Sequence, residues 1–164
     1  MEKKEIRSRK YLLFSVLLAF IVLCSTSVFG ATIRVPTDYP TIQAGIDAAV
    51  DRDIVLVADG NYVGPGNKDL DFKGKAITVQ SENGPESCVI DMQGNGRGFY
   101  FHSGETKSSV LSGFTITNGR ADYGGGIRCS SEPTITNCII IGNTAVRSGG
   151  GIFVLFGLVP SQTV

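Results

Sequence analysis

The chain has 164 residues, 42% hydrophobic and 18% charged, with 21 Gly, no Trp and a formal net charge of zero. That composition excludes a disordered chain and fits one globular domain. Beyond residue 30, 10 Lys+Arg stand against 13 Asp+Glu, a net charge of about −3, which leaves no basic footprint for nucleic acid.

Lys3, Lys4, Arg7, Arg9 and Lys10 precede the apolar run "YLLFSVLLAFIVL", and "CSTSVFGA" comes next, with Val28 and Gly30 placed for cleavage before Ala31. Residues 1–30 therefore read as a secretory signal peptide, and the protein as secreted, extracellular or on the outer cell surface. The run covers 13 residues, where a membrane span needs about 20. Cys88, Cys129 and Cys138 remain after cleavage, an odd number, so at least one has no partner within the chain. Pairing of Cys129 with Cys138 stays open, and Cys88 and Cys138 are expected on one ladder two coils apart, beyond disulfide reach.

Residues 31–52 open with the strand-like "TIRVP". In "DYPTIQAGIDAAVD", Ile42, Ile46, Ala49 and Val50 then form the stripe of a short amphipathic helix, with Thr41 as its N-cap. This helix is expected to cap the first coil of a solenoid that begins at about residue 53.

Residues 53–154 hold a repeat. "GFTITNGRADYGGGI" (Gly113 to Ile127) aligns without gaps on "CIIIGNTAVRSGGGI" (Cys138 to Ile152) at an offset of 25. The alignment superposes Gly124, Gly125 and Gly126 on Gly149, Gly150 and Gly151, and Asn118 on Asn143. A period of this length, filled with short β-branched runs between Gly, Asn, Ser and Pro, indicates a solenoid of strands. It divides into three strand sets. The first is 69–72, 98–101, 125–129 and 150–154; the second is 54–57, 77–80, 110–112 and 134–137; the third is 61–63, 88–91, 114–117 and 139–141. The expected fold is all-β, a parallel β-helix of about four coils. The glycine triplets mark a tight corner, and Asn118 over Asn143 is expected as a turn-stabilising ladder.

The segments "VPTDYPTIQAGIDAAVDRDIVLVADGNYVGP", "DFKGKAITVQSENGPESCVID" and "GGGIRCSSEPTITNCIIIGNTA" together resemble the secreted right-handed β-helix proteins of the pectin lyase-like superfamily, over nearly all of residues 31–152. The first segment is similar to the corresponding part of pectin methylesterases. The glycine-rich coils resemble those of polymorphic outer-membrane proteins, although "IIGN" and "TITN" lack the Phe of the "F-x-x-N" element found there. The resemblance implies a right-handed coil. It also implies, for enzymes of this fold, an Arg or Lys base with clustered carboxylates, paired aspartates, or two aspartates with an Arg. Nothing in this chain matches those catalytic sets residue by residue, so the catalytic residues are unknown.

Candidate sites rest on individual side chains. Asp69 and Asp71 alternate along an expected strand and so share a side, where two carboxylates could contribute to calcium binding. With Lys73 and Lys75 beside them, a solvated charged edge is the competing reading. No other cofactor is expected, and no zinc pattern exists. Asp91, Arg97, Asp122 and Arg128, in adjacent turns or coils, could converge on one face to touch an acidic sugar. His102 is the only histidine, and no flanking motif marks it as part of a catalytic triad.

After "GGGIFV" the repeat predicts a further turn, but residues 155–164 read "LFGLVPSQTV". The expectation is either a truncated or frame-shifted piece of a longer β-helix, or an apolar cap formed by residues 153–164. An uncapped end would offer a strand edge to further coils or to self-association. The sequence supports two functional readings: a noncatalytic secreted scaffold that binds polysaccharide or cell-surface glycan in adhesion, or part of a carbohydrate-active lyase, hydrolase or esterase whose catalytic coils lie outside this sequence.

Overall fold

The computed structural model describes residues 30–155; the signal-peptide reading for residues 1–29 and the tail beyond Leu155 lie outside the described residues. Among the described residues the chain winds as a parallel β-solenoid of about five turns with one short helix. The first sheet stacks β1 (Thr32–Val35), β2 (Ile54–Val57), β4 (Thr78–Ser81), β7 (Val110–Ser112) and β11 (Thr134–Thr136). The second stacks β3 (Gly60–Val63), β5 (Cys88–Asp91), β8 (Thr115–Thr117) and β12 (Ile139–Ile141). The third contains β6 (Phe99–Phe101), β10 (Ile127–Cys129) and β14 (Ile152–Val154), extended one coil down by a parallel bridge from Leu70 to Phe99. The three expected strand sets are therefore present except at 69–72, where no strand forms and only the bridge at Leu70 remains.

Two features go beyond the sequence-based expectation. β1 pairs with β2 from Thr32 opposite Ile54 to Val35 opposite Val57, so the opening strand is itself a rung of the solenoid. The count becomes about five turns in place of four. A narrow fourth sheet, β9 (Arg120–Tyr123) against β13 (Thr144–Ser148), forms along the corner between the second and third sheets.

Alternation along each strand sends every second side chain into the channel, and the side chains that fill it are buried and largely apolar. Val55, Val79 and Leu111 stack from the first sheet, Ile90 and Ile116 from the second, and Phe99 and Ile127 from the third, each with no exposed surface. Four phenylalanines fill the widest part. Phe99 and Phe101 stack with centroids 6.0 Å apart, and Phe72 meets Phe101 edge-on at 5.0 Å. Such pairs each contribute about 0.5–1.5 kcal/mol beyond their burial.

The helix, α1 (Ile42–Ala48), begins where expected, with the Thr41 hydroxyl accepting from the Ala44 amide. Ile42, Ile46 and Ala49 are buried, and Gly45 lets the helix lie against Val35 and Val55 of β1 and β2. Val50 departs from the predicted stripe: the helix ends at Ala48 with Ala49 as C-cap, and Val50 is 65% exposed beyond it. Lys75, from the next coil, donates to the Ile46, Asp47 and Ala49 carbonyls at 2.8–2.9 Å. The Gln43 side-chain amide brackets the Asp71 backbone in the same junction.

The repeat is 24 residues through most of the last turn, and the ungapped alignment at 25 is corrected there. Thr115, Ile116 and Thr117 lie opposite Ile139, Ile140 and Ile141, and Arg120 lies opposite Thr144. A register irregularity in β13, between Ala145 and Ser148, absorbs one residue, and only then does Ile127 fall opposite Ile152. The physical reason is alternation. An offset of 25 would turn Ile141 into the channel above Ile116, whereas Ile140 takes that place and Ile141 is 62% exposed. Asn118 consequently stacks against Gly142, not Asn143, and the expected Asn-on-Asn ladder does not form. The residue between Cys88 and Cys138 on their shared ladder is likewise Phe114 and not Gly113.

Candidate functional site: an arginine and tyrosine ladder

The outward residues of the third sheet are set by its inward ones. In β6 the two flanking phenylalanines point inward, so Tyr100 points out; in β10 Ile127 and Cys129 point inward, so Arg128 points out. Register places Arg128 directly between Tyr100 of the preceding coil and Phe153 of the following one. The Arg128 guanidinium sits 4.9 Å from the Tyr100 ring centre and 5.8 Å from that of Tyr123, which ends β9.

The pattern continues in both directions. Arg97 places its guanidinium 4.9 Å from the same Tyr100 ring, and Arg147 lies 5.7 Å from the Tyr123 ring, donating to its hydroxyl at 3.3 Å. Tyr123 packs on Phe153 with centroids 4.9 Å apart. Arg97, Tyr100, Arg128, Tyr123 and Arg147 thus alternate cation and aromatic ring up the solenoid. Each contact contributes roughly 0.5–1 kcal/mol where exposed and more where desolvated. Proximity to the Tyr123 hydroxyl, and after it Asp122, raises the Arg147 guanidinium above its ordinary value.

Two nitrogens in this ladder, Nη1 of Arg97 and Nε of Arg128, are shielded from solvent without a hydrogen-bond acceptor. Asp69 neutralises Arg97 in part: one carboxylate oxygen lies 3.6 Å from Nε and accepts from the Arg97 amide at 3.2 Å. His102 is exposed, edge-on to Tyr100 at 3.9 Å, with Nδ1 2.9 Å from the Ser103 hydroxyl.

Of the four residues expected to share a face, Arg97 and Arg128 meet on Tyr100, and Asp122 sits in β9 next to Tyr123. Asp91 goes elsewhere. It ends β5 and accepts from the Gln93 amide and the Asn118 side chain. With Gln93, Asn118, Arg120 and Thr144 it lines a separate shallow depression of about 440 Å³. Asp69 and Asp71 take different partners, the first Arg97 and the second the Lys73 amide at 2.8 Å. Asp69 also adopts a left-handed backbone (φ 50°), so the two are not alternate residues of a regular strand. Among the described residues no group of three or more His, Cys, Asp or Glu converges as a metal site would require.

The glycine triplets and corner asparagines are structural. The amides of Gly124, Gly125 and Gly126 donate to the carbonyls of Ser148, Gly149 and Gly150, so the triplets pair backbone to backbone at 3.0–3.2 Å. A Cβ on Gly125 would collide with the Thr144 carbonyl, and Gly124 and Gly149 need φ of 61° and 69°. Asn143 accepts from the Gly119 amide at 2.7 Å and donates to the Ile116 carbonyl at 2.8 Å, tying one coil to the one beneath. Cys88, Cys129 and Cys138 are free thiols. Burial pushes Cys88 up to about 12 and Cys129 up to about 11, so neither is a thiolate near neutral pH.

Tyr100, Tyr123, Arg147 and Phe153 were not among the sequence-predicted site residues. The signal was present in "FYF", "IRC" and "IFV": the central residue of each triplet faces out, and stacking the three by register gives Tyr, Arg and Phe on one line. No protein-family description, no curated protein and no solved structure matches the chain.

Proposed function

We propose that the chain is a secreted or cell-surface β-helix protein of the pectin lyase-like kind, acting as a noncatalytic scaffold that binds polysaccharide or cell-surface glycan in adhesion. The observation that carries this reading is the ladder centred on Tyr100, with Arg97 and Arg128 on its ring. Sugar rings offer C–H faces that pack on aromatic rings, and a guanidinium fork pairs with the carboxylate of an acidic sugar. Consecutive coils repeat the contacts at about 4.8 Å, close to the rise of one sugar unit in an extended glycan. The basic and apolar leader in residues 1–30 supports export.

Binding of the purified protein to a glycan array and to immobilised acidic polysaccharide tests the reading. The expected result is saturable binding without product, weakened at least tenfold by Tyr100→Ala. Release of an ultraviolet-absorbing unsaturated product would overturn the noncatalytic assignment in favour of a lyase.

A further inference from the structure

The corner that holds Asp91 is built apart from the ladder. Three successive coils leave the second sheet through a left-handed residue, Gln93 (φ 54°), Asn118 (φ 57°) and Gly142 (φ 68°), which turns the chain sharply. Across these turns, on the flank of the solenoid, lies the depression of about 440 Å³ lined by Asp91, Gln93, Asn118, Arg120 and Thr144 with intervening glycines. Backbone pairs from coil to coil hold its walls. The Gly94 amide donates to the Asn118 carbonyl at 2.7 Å, the Arg120 and Gly96 backbones exchange hydrogen bonds at 2.8 and 3.1 Å, and the Thr144 amide donates to the Gly119 carbonyl at 2.8 Å.

The Asp91 carboxylate is itself fixed: Oδ1 accepts from the Gln93 amide at 2.9 Å and from the Asn118 side chain at 3.0 Å. Arg120 lines the same depression and is exposed. The ion pairs among the described residues include neither Asp91 nor Arg120, so acid and base border one hollow without closing on each other.

We propose that this corner is a second sugar-binding site, one that takes an uncharged sugar unit through neighbouring hydroxyl groups. The proposal rests on the glycan reading for the kind of ligand and adds a sugar class to it, since the Tyr100 ladder suits an acidic sugar and this corner a neutral one. A hydroxyl both donates and accepts. The corner supplies a carboxylate that only accepts, a guanidinium that only donates, and amide and hydroxyl groups that do both. An anion here would meet Asp91 and a cation would meet Arg120, whereas a neutral polyol meets neither penalty. An amino-acid zwitterion could pair with both charges, but pairs in so open a site are screened and contribute little. The turns are already set by backbone pairing, so little ordering is lost when a ligand arrives. β9 runs from Arg120 to Tyr123, about 10 Å at the rise of a strand, which keeps the two sites separate yet within reach of one polysaccharide chain.

Nuclear magnetic resonance titration of the isotope-labelled protein tests the proposal. The probes are neutral hexasaccharides of glucose, mannose, xylose, galactose and arabinose, and the reporters are the side-chain amides of Gln93 and Asn118. The expected result is a saturable shift of both reporters with at least one probe. Asp91→Asn and Arg120→Gln should each weaken that binding at least fivefold, and Tyr100→Ala should leave it unchanged. Arg120 is exposed and Asp91→Asn keeps an oxygen for the Gln93 amide, so both variants should fold, with unchanged backbone resonances in β2 and β4 as the check. Reporters that no neutral probe shifts would overturn the proposal, as would equal binding in wild type and both variants. Tighter binding there of a galacturonate hexasaccharide or of glycine than of every neutral probe would overturn it by showing a charged ligand. Loss of the shifts in Tyr100→Ala would overturn it too, placing the neutral sugar on the ladder. Failure here with binding of acidic polysaccharide intact would sink this inference alone and leave the glycan reading standing.

Discussion

Lys75 and Glu105 show how single side chains fasten the coils. The Lys75 ammonium satisfies three carbonyls that α1 leaves open at its C-terminus. Hydrogen bonds to a charged group contribute about 1.5–3 kcal/mol, so Lys75→Met is predicted to lower unfolding free energy by about 2 kcal/mol in a denaturant titration. Glu105 is 3% exposed; it accepts from the Gly74 and Ser103 amides at 2.9 Å and so joins neighbouring coils. Burial alone would push its carboxyl up, but these amides, its own amide and the Ser131 hydroxyl together hold it below the ordinary 4.5. The unfolded chain therefore takes up the proton first. Stability from the carboxylate is complete above the unfolded value and drains away as pH falls through the lower folded value. Glu105→Gln should make the protein less stable at neutral pH and flatten the loss of stability between about pH 5 and pH 3, as read from thermal midpoints across that range. Neither role was legible in the sequence, because both depend on partners about 30 positions away whose side-chain direction only the coil register decides.

At the scale of the element, the corner between the second and third sheets is the least forgiving part of the fold. The triplets approach each other so closely that no Cβ fits at Gly125, and the amides of three consecutive glycines bind the last coil to the one before. Gly125→Ala is predicted to loosen the last coil selectively. Hydrogen exchange at Ile139–Ile141 and Ile152–Val154 should accelerate, while Val55 and Val79 in the early coils keep their protection, as expected where each repeat contacts only its neighbours. Uniform acceleration along the chain would contradict that view. The strands themselves were legible, since alternation of β-branched and polar residues bounded by Gly and Asn marked nearly all of them. The one-residue irregularity in β13 was not. An ungapped match on "GGGI" is strong enough to pull the whole alignment to 25, although burial of Ile116 and Ile140 holds the second sheet at 24.

Over the whole molecule, these registers assemble a continuous apolar channel inside and an alternating cationic and aromatic line outside. The channel was legible because burial imposes a period on the sequence. The outer line was only half legible, Arg97 and Arg128 without Tyr100 and Tyr123, because outward positions carry no period of their own and are found by stacking coils correctly. Arg128→Lys keeps the charge but loses the planar fork that spans two rings, so it should retain only part of any glycan affinity, between wild type and Arg128→Ala in a calorimetric titration. The chain has no Trp, so emission comes from tyrosines: Tyr100 and Tyr123 report on this face, over a background from Tyr39 and Tyr62 elsewhere. Titration of the purified protein with an acidic polysaccharide, followed by that emission, tests the ladder as a binding surface. The account predicts a saturable change with acidic polysaccharide that disappears in Arg128→Ala, a variant that keeps every tyrosine; an unchanged spectrum, or the same saturable change in Arg128→Ala, would contradict it.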